Sequence, residues 1–176
     1  VVLDLDETVV DNSTYQIERK AYGESFEPKS WNAWCERREA KAVPGAKGFI
    51  DAVRKMGGSV VYLSNRHVVT QQATIDNLKA LGLWEKNDTI CLKTDDEAYT
   101  KVVRRTEVRA GKGDCSVNGK EMTVLAYMGD NIHDFPEDGE EAQEGGRDAQ
   151  FGIRYFLFAN PMYGSWSRRV TRPNPQ

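Results

Sequence analysis

The stretch Val1-Val2-Leu3-Asp4-Leu5-Asp6-Glu7-Thr8 decides the predicted fold of this chain. Val-Val-Leu is apolar without alternation and rich in β-branched residues, which is typical of a buried strand. Asp4 and Asp6 follow at the carboxyl end of that strand, where open α/β sheets bind their ligands. Alternate residues of an extended strand point the same way, so the two carboxylates repel one another unless a cation neutralises them. On this stretch alone, a divalent metal site and a solvated acidic turn are equally good interpretations.

Composition excludes some partners. The 176 residues are 39% hydrophobic and 29% charged, which suits one domain with a substantial core. The net charge of -3 gives no basic surface for a nucleic acid polymer or an anionic membrane. No apolar run approaches the roughly 20 residues of a membrane span. Residue 1 already lies in a predicted core strand, so we expect the sequence to be a mature form or a fragment of a longer chain.

The three cysteines predict neither a disulfide framework nor a zinc site. Cys35, Cys91 and Cys115 are an odd number, lie far apart and include no C-x-x-C pair. We expect single cysteines, with Cys91 buried in a strand, and their number does not settle the redox compartment.

Apolar strands alternate with amphipathic helices along the rest of the chain. This order predicts an α/β fold with a doubly wound parallel sheet, in a single domain that covers residues 1–176. The predicted helices begin at Pro44-Gly45-Ala46, at about residue 70 and at about residue 95; the predicted strands are 59–63, 89–92, 123–128 and 153–158.

Residues 11–43 are polar but carry several aromatic side chains, and we interpret them as a small, mainly helical cap segment. Trp31 and Trp34 are three residues apart and therefore neighbours on one face of a helix. Both could simply pack the segment onto the domain. Alternatively, one of them lies above the active edge of the sheet and stacks on a flat substrate group.

Polar side chains follow four predicted strands. The carboxyl ends of parallel strands meet at one edge of a sheet, so we expect these side chains to converge. Carboxylates suit a hard cation such as Mg²⁺, and a hydroxyl and an ammonium group stabilise a transferring phosphoryl group. The set therefore predicts phosphoryl transfer. Its members are Asp4, Asp6, Ser64-Asn65-Arg66, Lys101, Asp130 and Asp134.

Four segments carry a family resemblance. Asp4-Leu5-Asp6-Glu7-Thr8, Ser64-Asn65-Arg66 and Gly129-Asp130-Asn131-Ile132-His133-Asp134-Phe135 match signature motifs, and Asn160-Pro161-Met162-Tyr163-Gly164-Ser165-Trp166 matches a downstream segment. Together they resemble the bacterial class C acid phosphatases of the haloacid dehalogenase superfamily. The similarity extends to the outer-membrane lipoprotein subgroup, which cleaves nucleoside monophosphates.

The resemblance implies a role for each carboxylate. Asp4 attacks phosphorus and forms an aspartyl-phosphate, and Asp6 is first general acid and then general base. Mg²⁺ is held by Asp4, the backbone carbonyl of Asp6 and Asp130, with Asp134 acting directly or through water. The alternative for Asp134 is a helix N-cap.

The resemblance also implies how the substrate is held. Ser64, the N–H of Asn65 and a lysine bind the phosphate, and Lys101 fits the third motif better than Lys93. Trp31 and Tyr163 could clamp a nucleobase by stacking, or both could be core packing.

Other charged residues receive no role in the chemistry. Arg66 is either a surface residue or pairs with an acidic neighbour. His67 and His133 are expected to be solvated or to lie behind the site, and the acidic run 137–144 to form a solvated face.

At the level of the whole protein, the resemblance implies a Mg²⁺-dependent acid phosphatase for a small-molecule phosphomonoester, with 5′-nucleotidase-like activity. It also implies an extracytoplasmic location (periplasm, outer membrane or secreted) and leaves open an upstream lipid anchor and a homodimer. A phosphotransferase and a non-catalytic storage or binding protein on the same scaffold are the alternatives.

Overall fold

The computed structural model of the chain describes residues 1–141, 144–160 and 162–164. The strands are β1 (Val2–Leu3), β2 (Val10–Asp11), β3 (Lys41–Ala42), β4 (Val61–His67), β5 (Thr89–Lys93), β6 (Tyr127–Gly129) and β7 (Tyr155–Leu157). The helices are α1 (Ser13–Ala21), α2 (Pro28–Arg37), α3 (Ala46–Lys55), α4 (Gln71–Ala80) and α5 (Lys101–Ala110), with short 3₁₀ turns at Val68–Thr70, Ile132–Asp134 and Asp148–Gln150.

Five strands form one sheet in the order β5-β4-β1-β6-β7. Each neighbouring pair is parallel, so all five carboxyl ends lie at one edge. The first strand of the chain occupies the centre, with its neighbours added on either side, which is the arrangement of a doubly wound sheet. The predicted α/β fold class is confirmed.

Helices cover both faces of this sheet. Side chains alternate between the faces of a strand, so the two residues of β1 point opposite ways. Leu3 belongs to one core cluster with Ile50 of α3 and Leu78 of α4. Val2 belongs to the other, with Val108 of α5. The central strand is thus buried from both sides, which explains why its sequence is apolar without alternation.

The cap segment is two helices enclosed by a small ribbon. β2 and β3 pair antiparallel, and α1 and α2 lie between them in sequence. Helix α2 begins where the Glu27 side chain accepts hydrogen bonds from the N–H groups of Lys29 and Ser30, with Pro28 in the first turn. Trp31 and Trp34 are both buried in the core cluster that Leu3 shares.

Three predicted boundaries move by several residues. Strand β4 ends at His67 rather than at residue 63, so Ser64-Asn65-Arg66 lie within the strand and not after it. Helix α5 begins at Lys101 rather than near residue 95, because the Thr100 hydroxyl caps it by accepting the N–H of Val103 at 3.4 Å. Strand β6 begins at Tyr127 rather than Thr123, so only the end of that apolar run joins the sheet.

The expectation of single cysteines was wrong for two of them. Cys91 of β5 and Cys115 form a disulfide with 5.2 Å between their Cα atoms. They are 24 residues apart, and the chain returns to the sheet after α5 and brings them together. Cys35 is free and buried.

The expectation of a solvated acidic face was wrong for Glu140. Its side chain is only 5% exposed, and its carboxylate accepts hydrogen bonds from Arg105 and Arg109 of α5. Among the described residues, no helix has the length and apolar composition of a membrane span.

Candidate active site

The loop after β1 holds the first two carboxylates at the sheet edge. The N–H of Asp4 bonds to the carbonyl of Met128 in β6 at 2.8 Å, which continues the sheet pairing one residue beyond the strand. The chain then turns sharply, since the N–H groups of Val9 and Val10 both bond to the carbonyl of Leu5. Glu7 takes a left-handed conformation in this turn, with φ of 59°. A non-glycine residue in this region of backbone space is often found at a functional site.

Three carboxylates gather at the carboxyl ends of β1 and β6. Oxygen atoms of Asp4, Asp130 and Asp134 all lie within 4.8 Å of one another. Asn131, and not Asp134, is the N-cap of the 3₁₀ turn, so the N-cap alternative for Asp134 was wrong. Asp134 lies three residues later and completes a capping box, because its Oδ2 accepts the N–H of Asn131 at 2.8 Å. Its close approach requires glycine at 129, where a Cβ atom would lie 2.3 Å from Oδ2 of Asp134.

Lys101 enters this cluster from the first turn of α5. Its Nζ donates to Oδ1 of Asp4 at 2.6 Å and to Oδ1 of Asp134 at 2.5 Å. The three side chains are buried, at 10%, 8% and 6% exposed. Lys93, the alternative lysine, is exposed and forms no part of this cluster.

Burial and charge act against each other in the cluster. Burial lowers the pKa of Lys101, but the carboxylates of Asp4 and Asp134 outweigh it and raise the pKa overall. Burial raises the pKa of Asp4 well above its usual range, and the ammonium of Lys101 only partly offsets this effect. Burial also raises the pKa of Asp130. A nucleophilic carboxylate must be ionised, so the cluster calls for further positive charge.

A divalent cation would supply that charge. The donors are carboxylate oxygens, which are the ligands of hard cations such as Mg²⁺, and they are close enough together to share one ion. The carboxylate of Asp6 is not in this group.

The second half of β4 contributes Ser64 and Asn65. Ser64 is fully buried, and its Oγ lies 3.3 Å from Oδ2 of Asp6 and accepts the N–H of Arg66 at 3.1 Å. Arg104 of α5 holds this part of the strand: it donates to the carbonyl of Ser64 at 2.6 Å and to Oδ1 of Asn65 at 2.7 Å. In the described part of the chain, no carboxylate forms a salt bridge with Arg104, and burial lowers its pKa to about 10.

The carboxylates and the phosphate-binding candidates open into a cavity of about 590 Å³. Its polar floor includes Asp4, Asp6, Ser64 and Lys101, and its aromatic wall is formed by Phe26, Trp31 and Tyr163. A second cavity of about 850 Å³ shares Phe26, Trp31, Asn65, Lys101 and His133 with the first and extends to Lys93.

The aromatic residues of the cavity differ in solvent exposure and in their contacts. Trp31 is 9% exposed and packs edge-on against Tyr15, whereas Phe26 is 59% exposed. The hydroxyl of Tyr163 donates to the carboxylate of Glu7. The side chain of Asn160 joins this segment to the cluster, because it donates to Asp130 at 2.7 Å and accepts the N–H of Tyr163 at 3.2 Å. Pro161, Ser165 and Trp166 of the downstream motif lie outside the described residues.

Several residues of the site received no role in the chemistry from sequence. Asn12, Arg66 and Arg104 are buried polar residues that contact the candidate catalytic groups, and Phe26 is an exposed aromatic residue that lines the cavity. Arg66 was expected to be a surface residue or to pair with an acidic neighbour; it is buried and pairs with Asp6 at 2.8 Å. Its position directly after Ser64-Asn65 was the available signal.

Comparisons with known proteins agree with this geometry. Residues 1–166 match the model of the HAD superfamily, subfamily IIIB (acid phosphatase). The class C acid phosphatase from Bacillus anthracis superposes with a TM-score of 0.75 and is 32% identical, covering 94% of this chain and 68% of that one.

Two curated plant proteins are more distant relatives. Acid phosphatase 1 from Solanum lycopersicum is 26% identical over 162 residues, and Vegetative storage protein 1 from Arabidopsis thaliana is 26% identical over 164 residues. Each match covers 92% of this chain but 57% and 54% of the respective relative, so the chain spans little more than half of their length. The family match over nearly the whole chain confirms the resemblance seen in the motifs: the chain belongs to the haloacid dehalogenase superfamily, subfamily IIIB, of acid phosphatases.

Proposed function

We propose that this protein is a Mg²⁺-dependent acid phosphatase that hydrolyses nucleoside 5′-monophosphates through an aspartyl-phosphate on Asp4. The observation that carries the proposal is the cluster of Asp4, Asp130 and Asp134 around Lys101 at the floor of an aromatic-walled cavity. A phosphate ester fits this arrangement because its anionic phosphate can bind the ammonium of Lys101 and its organic group can pack against the aromatic wall.

Asp4, Asp130 and Asp134 would hold the ion. When bound, Mg²⁺ would neutralise these carboxylates and the phosphoryl oxygens, so that two anions can approach each other.

The chain's own residues perform the bond changes. An oxygen of Asp4 attacks phosphorus, and the bond from phosphorus to the ester oxygen breaks. Asp6 protonates that departing oxygen, and the alcohol leaves. In the second half, Asp6 takes a proton from water, the water oxygen bonds to phosphorus, and the carboxylate of Asp4 is released. Ser64, Asn65 and Lys101 bind the phosphoryl oxygens throughout.

Mutation of the nucleophile tests the chemistry. Asp4→Asn should abolish hydrolysis of p-nitrophenyl phosphate and of nucleoside monophosphates, and chelation of divalent cations should do the same to the wild type until Mg²⁺ is restored. Full activity of the variant would refute the aspartyl-phosphate. A folded wild type that hydrolyses no phosphomonoester with Mg²⁺ present would instead support a storage or binding role. Product analysis with an added acceptor alcohol separates hydrolysis from phosphotransfer.

A nucleotide preference is testable at the cavity wall. Stacking on a base contributes about 1–3 kcal/mol in single-strand binders, so removing one platform should lower kcat/KM for adenosine monophosphate by about 5- to 150-fold. Phe26→Ala and Tyr163→Leu are the test variants, because Trp31 is too buried to truncate without loss of packing. Tyr22→Ala is the matched control, since this aromatic residue is 78% exposed in the same cap segment and does not line the cavity. An equal loss on a sugar phosphate would count against a base-stacking wall.

The extracytoplasmic location is part of the proposal. The disulfide of Cys91 and Cys115 supports it, because disulfides persist chiefly in oxidising compartments. A lipid anchor and a homodimer are proposed only from the resemblance to the outer-membrane lipoprotein subgroup.

A further inference from the structure

Arg66 is the most deeply buried cation beside the candidate acid. Its side chain is 2% exposed. Nε donates to Oδ1 of Asp6 at 2.9 Å, and Nη2 lies 2.8 Å from the same oxygen in an ion pair. Nη1 donates to the hydroxyl of Thr74 at 3.2 Å, and the guanidinium carbon lies 5.7 Å from the centre of the Trp31 ring. A buried charge with this many partners has one orientation.

Asn12 also donates a hydrogen bond to Oδ1 of Asp6. The carbonyl oxygen of its side chain accepts from Nε1 of Trp34 at 2.9 Å and from Nη2 of Arg66 at 3.1 Å. An indole N–H and a guanidinium can only donate, so these two partners fix which end of the amide is oxygen. The NH₂ group of Asn12 must therefore face Oδ1 of Asp6, at 2.9 Å.

The two oxygens of Asp6 thus differ chemically. Oδ1 accepts hydrogen bonds from the NH₂ group of Asn12 and from Nε of Arg66, and Nη2 of Arg66 lies 2.8 Å away; none of these groups can accept a proton in a hydrogen bond. A proton on Oδ1 would have to displace one of them. Among the described residues, the hydrogen-bond partner of Oδ2 is the hydroxyl of Ser64, at 3.3 Å, and a hydroxyl can turn to accept as well as donate.

We propose that Arg66 is the positioning residue of the general acid: with Asn12 it clamps Oδ1 of Asp6, so that Oδ2 alone carries the transferred proton. The inference rests on the proposed function, in which Asp6 protonates the leaving oxygen. In the first half of the reaction the proton passes from Oδ2 to that oxygen as its bond to phosphorus breaks. In the second half Oδ2 accepts the proton of the attacking water. The backbone N–H of Arg66 also holds Oγ of Ser64, so one residue fixes the acid and a phosphate-binding hydroxyl.

Leaving-group dependence distinguishes this role from a purely structural one. A nitrophenolate leaves without help, whereas the alkoxide of a nucleoside or of glycerol must be protonated as it departs. A positioned general acid contributes typically about 10²–10⁴-fold to such a step. The ratio of kcat/KM for glycerol phosphate to that for p-nitrophenyl phosphate therefore reports on the acid, and kcat/KM covers the steps up to departure of the leaving group.

Arg66→Met should lower this ratio by at least about 10²-fold. Arg66→Lys, which keeps the charge but loses the fork of donors, should give an intermediate ratio. Thr74→Val removes one anchor of the guanidinium without touching Asp6, and a smaller fall in the ratio is expected. If Arg66→Met fails to fold, which thermal unfolding would reveal, the Thr74→Val variant still tests the role of Arg66.

Two further variants make the outcomes separable. Asp6→Asn removes the acid itself and should lower the ratio at least as much as Arg66→Met. Arg104→Met is the matched control: it also removes a buried arginine beside Ser64, but that arginine has no hydrogen bond to Asp6 among the described residues, so both substrates should slow equally.

The role of Arg66 would be overturned if Asp6→Asn lowered the ratio of kcat/KM values while the folded Arg66 and Thr74 variants left it unchanged. That result would leave the proposed function intact. An unchanged ratio in Asp6→Asn would overturn Asp6 as the acid, and the inference with it.

Discussion

Replacing Lys101 with methionine tests the electrostatic account of the cluster. The change removes the ammonium that donates to Asp4 and Asp134 at 2.6 and 2.5 Å and leaves two carboxylates that are 8% and 6% exposed. Removing one partner of a buried ion pair costs about 3–5 kcal/mol, because the remaining charge is buried without compensation. For a domain of this length each kcal/mol lowers Tm by about 2–4 °C, so we expect a fall of roughly 6–20 °C in metal-free buffer.

Two conditions should reduce that loss. Acidification lets a carboxylate take up a proton and so removes the repulsion, and the gap in stability between variant and wild type should narrow as the pH falls. A divalent cation at about 100 times its Kd contributes about 2.7 kcal/mol by mass action. The variant lacks the Lys101 ammonium, which competes with Mg²⁺ for the same carboxylate oxygens. The increase in its unfolding free energy on adding Mg²⁺ should therefore exceed that of the wild type.

The assay is urea unfolding with EDTA and with Mg²⁺, at acidic and at neutral pH. Lys101→Arg keeps the charge, and Lys93→Met removes an exposed lysine, for which a change within about 0.5 kcal/mol is expected. A Lys101→Met variant as stable as the wild type in EDTA at neutral pH would refute the reasoning.

Two further predictions concern stability. Burial raises the pKa of Glu7 from 4.5 to about 7, so the folded state keeps a proton that the unfolded state loses and stability falls as the pH rises between these values, by an upper limit of roughly 3 kcal/mol. Glu7→Gln should flatten this fall in metal-free urea titrations, and an equally steep fall in the variant would assign it to other groups. Replacing Cys91 and Cys115 together by serine opens a loop of 24 residues and should cost about 3 kcal/mol in urea unfolding, with reduced wild type as the comparison; no loss in either would contradict a stabilising disulfide.

The sequence is sufficient for the α/β class and for the convergence of the carboxylates. Apolar strands alternate with helices, and parallel strands bring their carboxyl ends to one edge, so Asp4 and Asp130 meet although they are far apart in the chain. Lys101 could be preferred over Lys93 only through the motif it matched, because nothing in its spacing shows that the first turn of α5 faces Asp4.

The features that could not be predicted depend on which side chains meet across the fold. The disulfide of Cys91 and Cys115 forms because the chain after α5 returns to the sheet, and the spacing of the cysteines in the sequence does not predict this course of the chain. Glu140 lies in an acidic run that looks solvated, yet two arginines of α5 bury it. Arg66 received no role in the chemistry because its partners Asn12 and Asp6 are more than 50 residues away in sequence.

Trapping the phosphorylated enzyme tests the central claim most directly. Asp6→Asn should still accept the phosphoryl group from p-nitrophenyl phosphate, whose leaving group needs no acid, but should hydrolyse the intermediate slowly because water is no longer activated. Rapid quenching, borohydride reduction and peptide mass spectrometry should then find Asp4, and no other carboxylate, reduced to the alcohol. Release of nitrophenolate with no reduction at Asp4, or with the phosphoryl group on another side chain, would contradict the account.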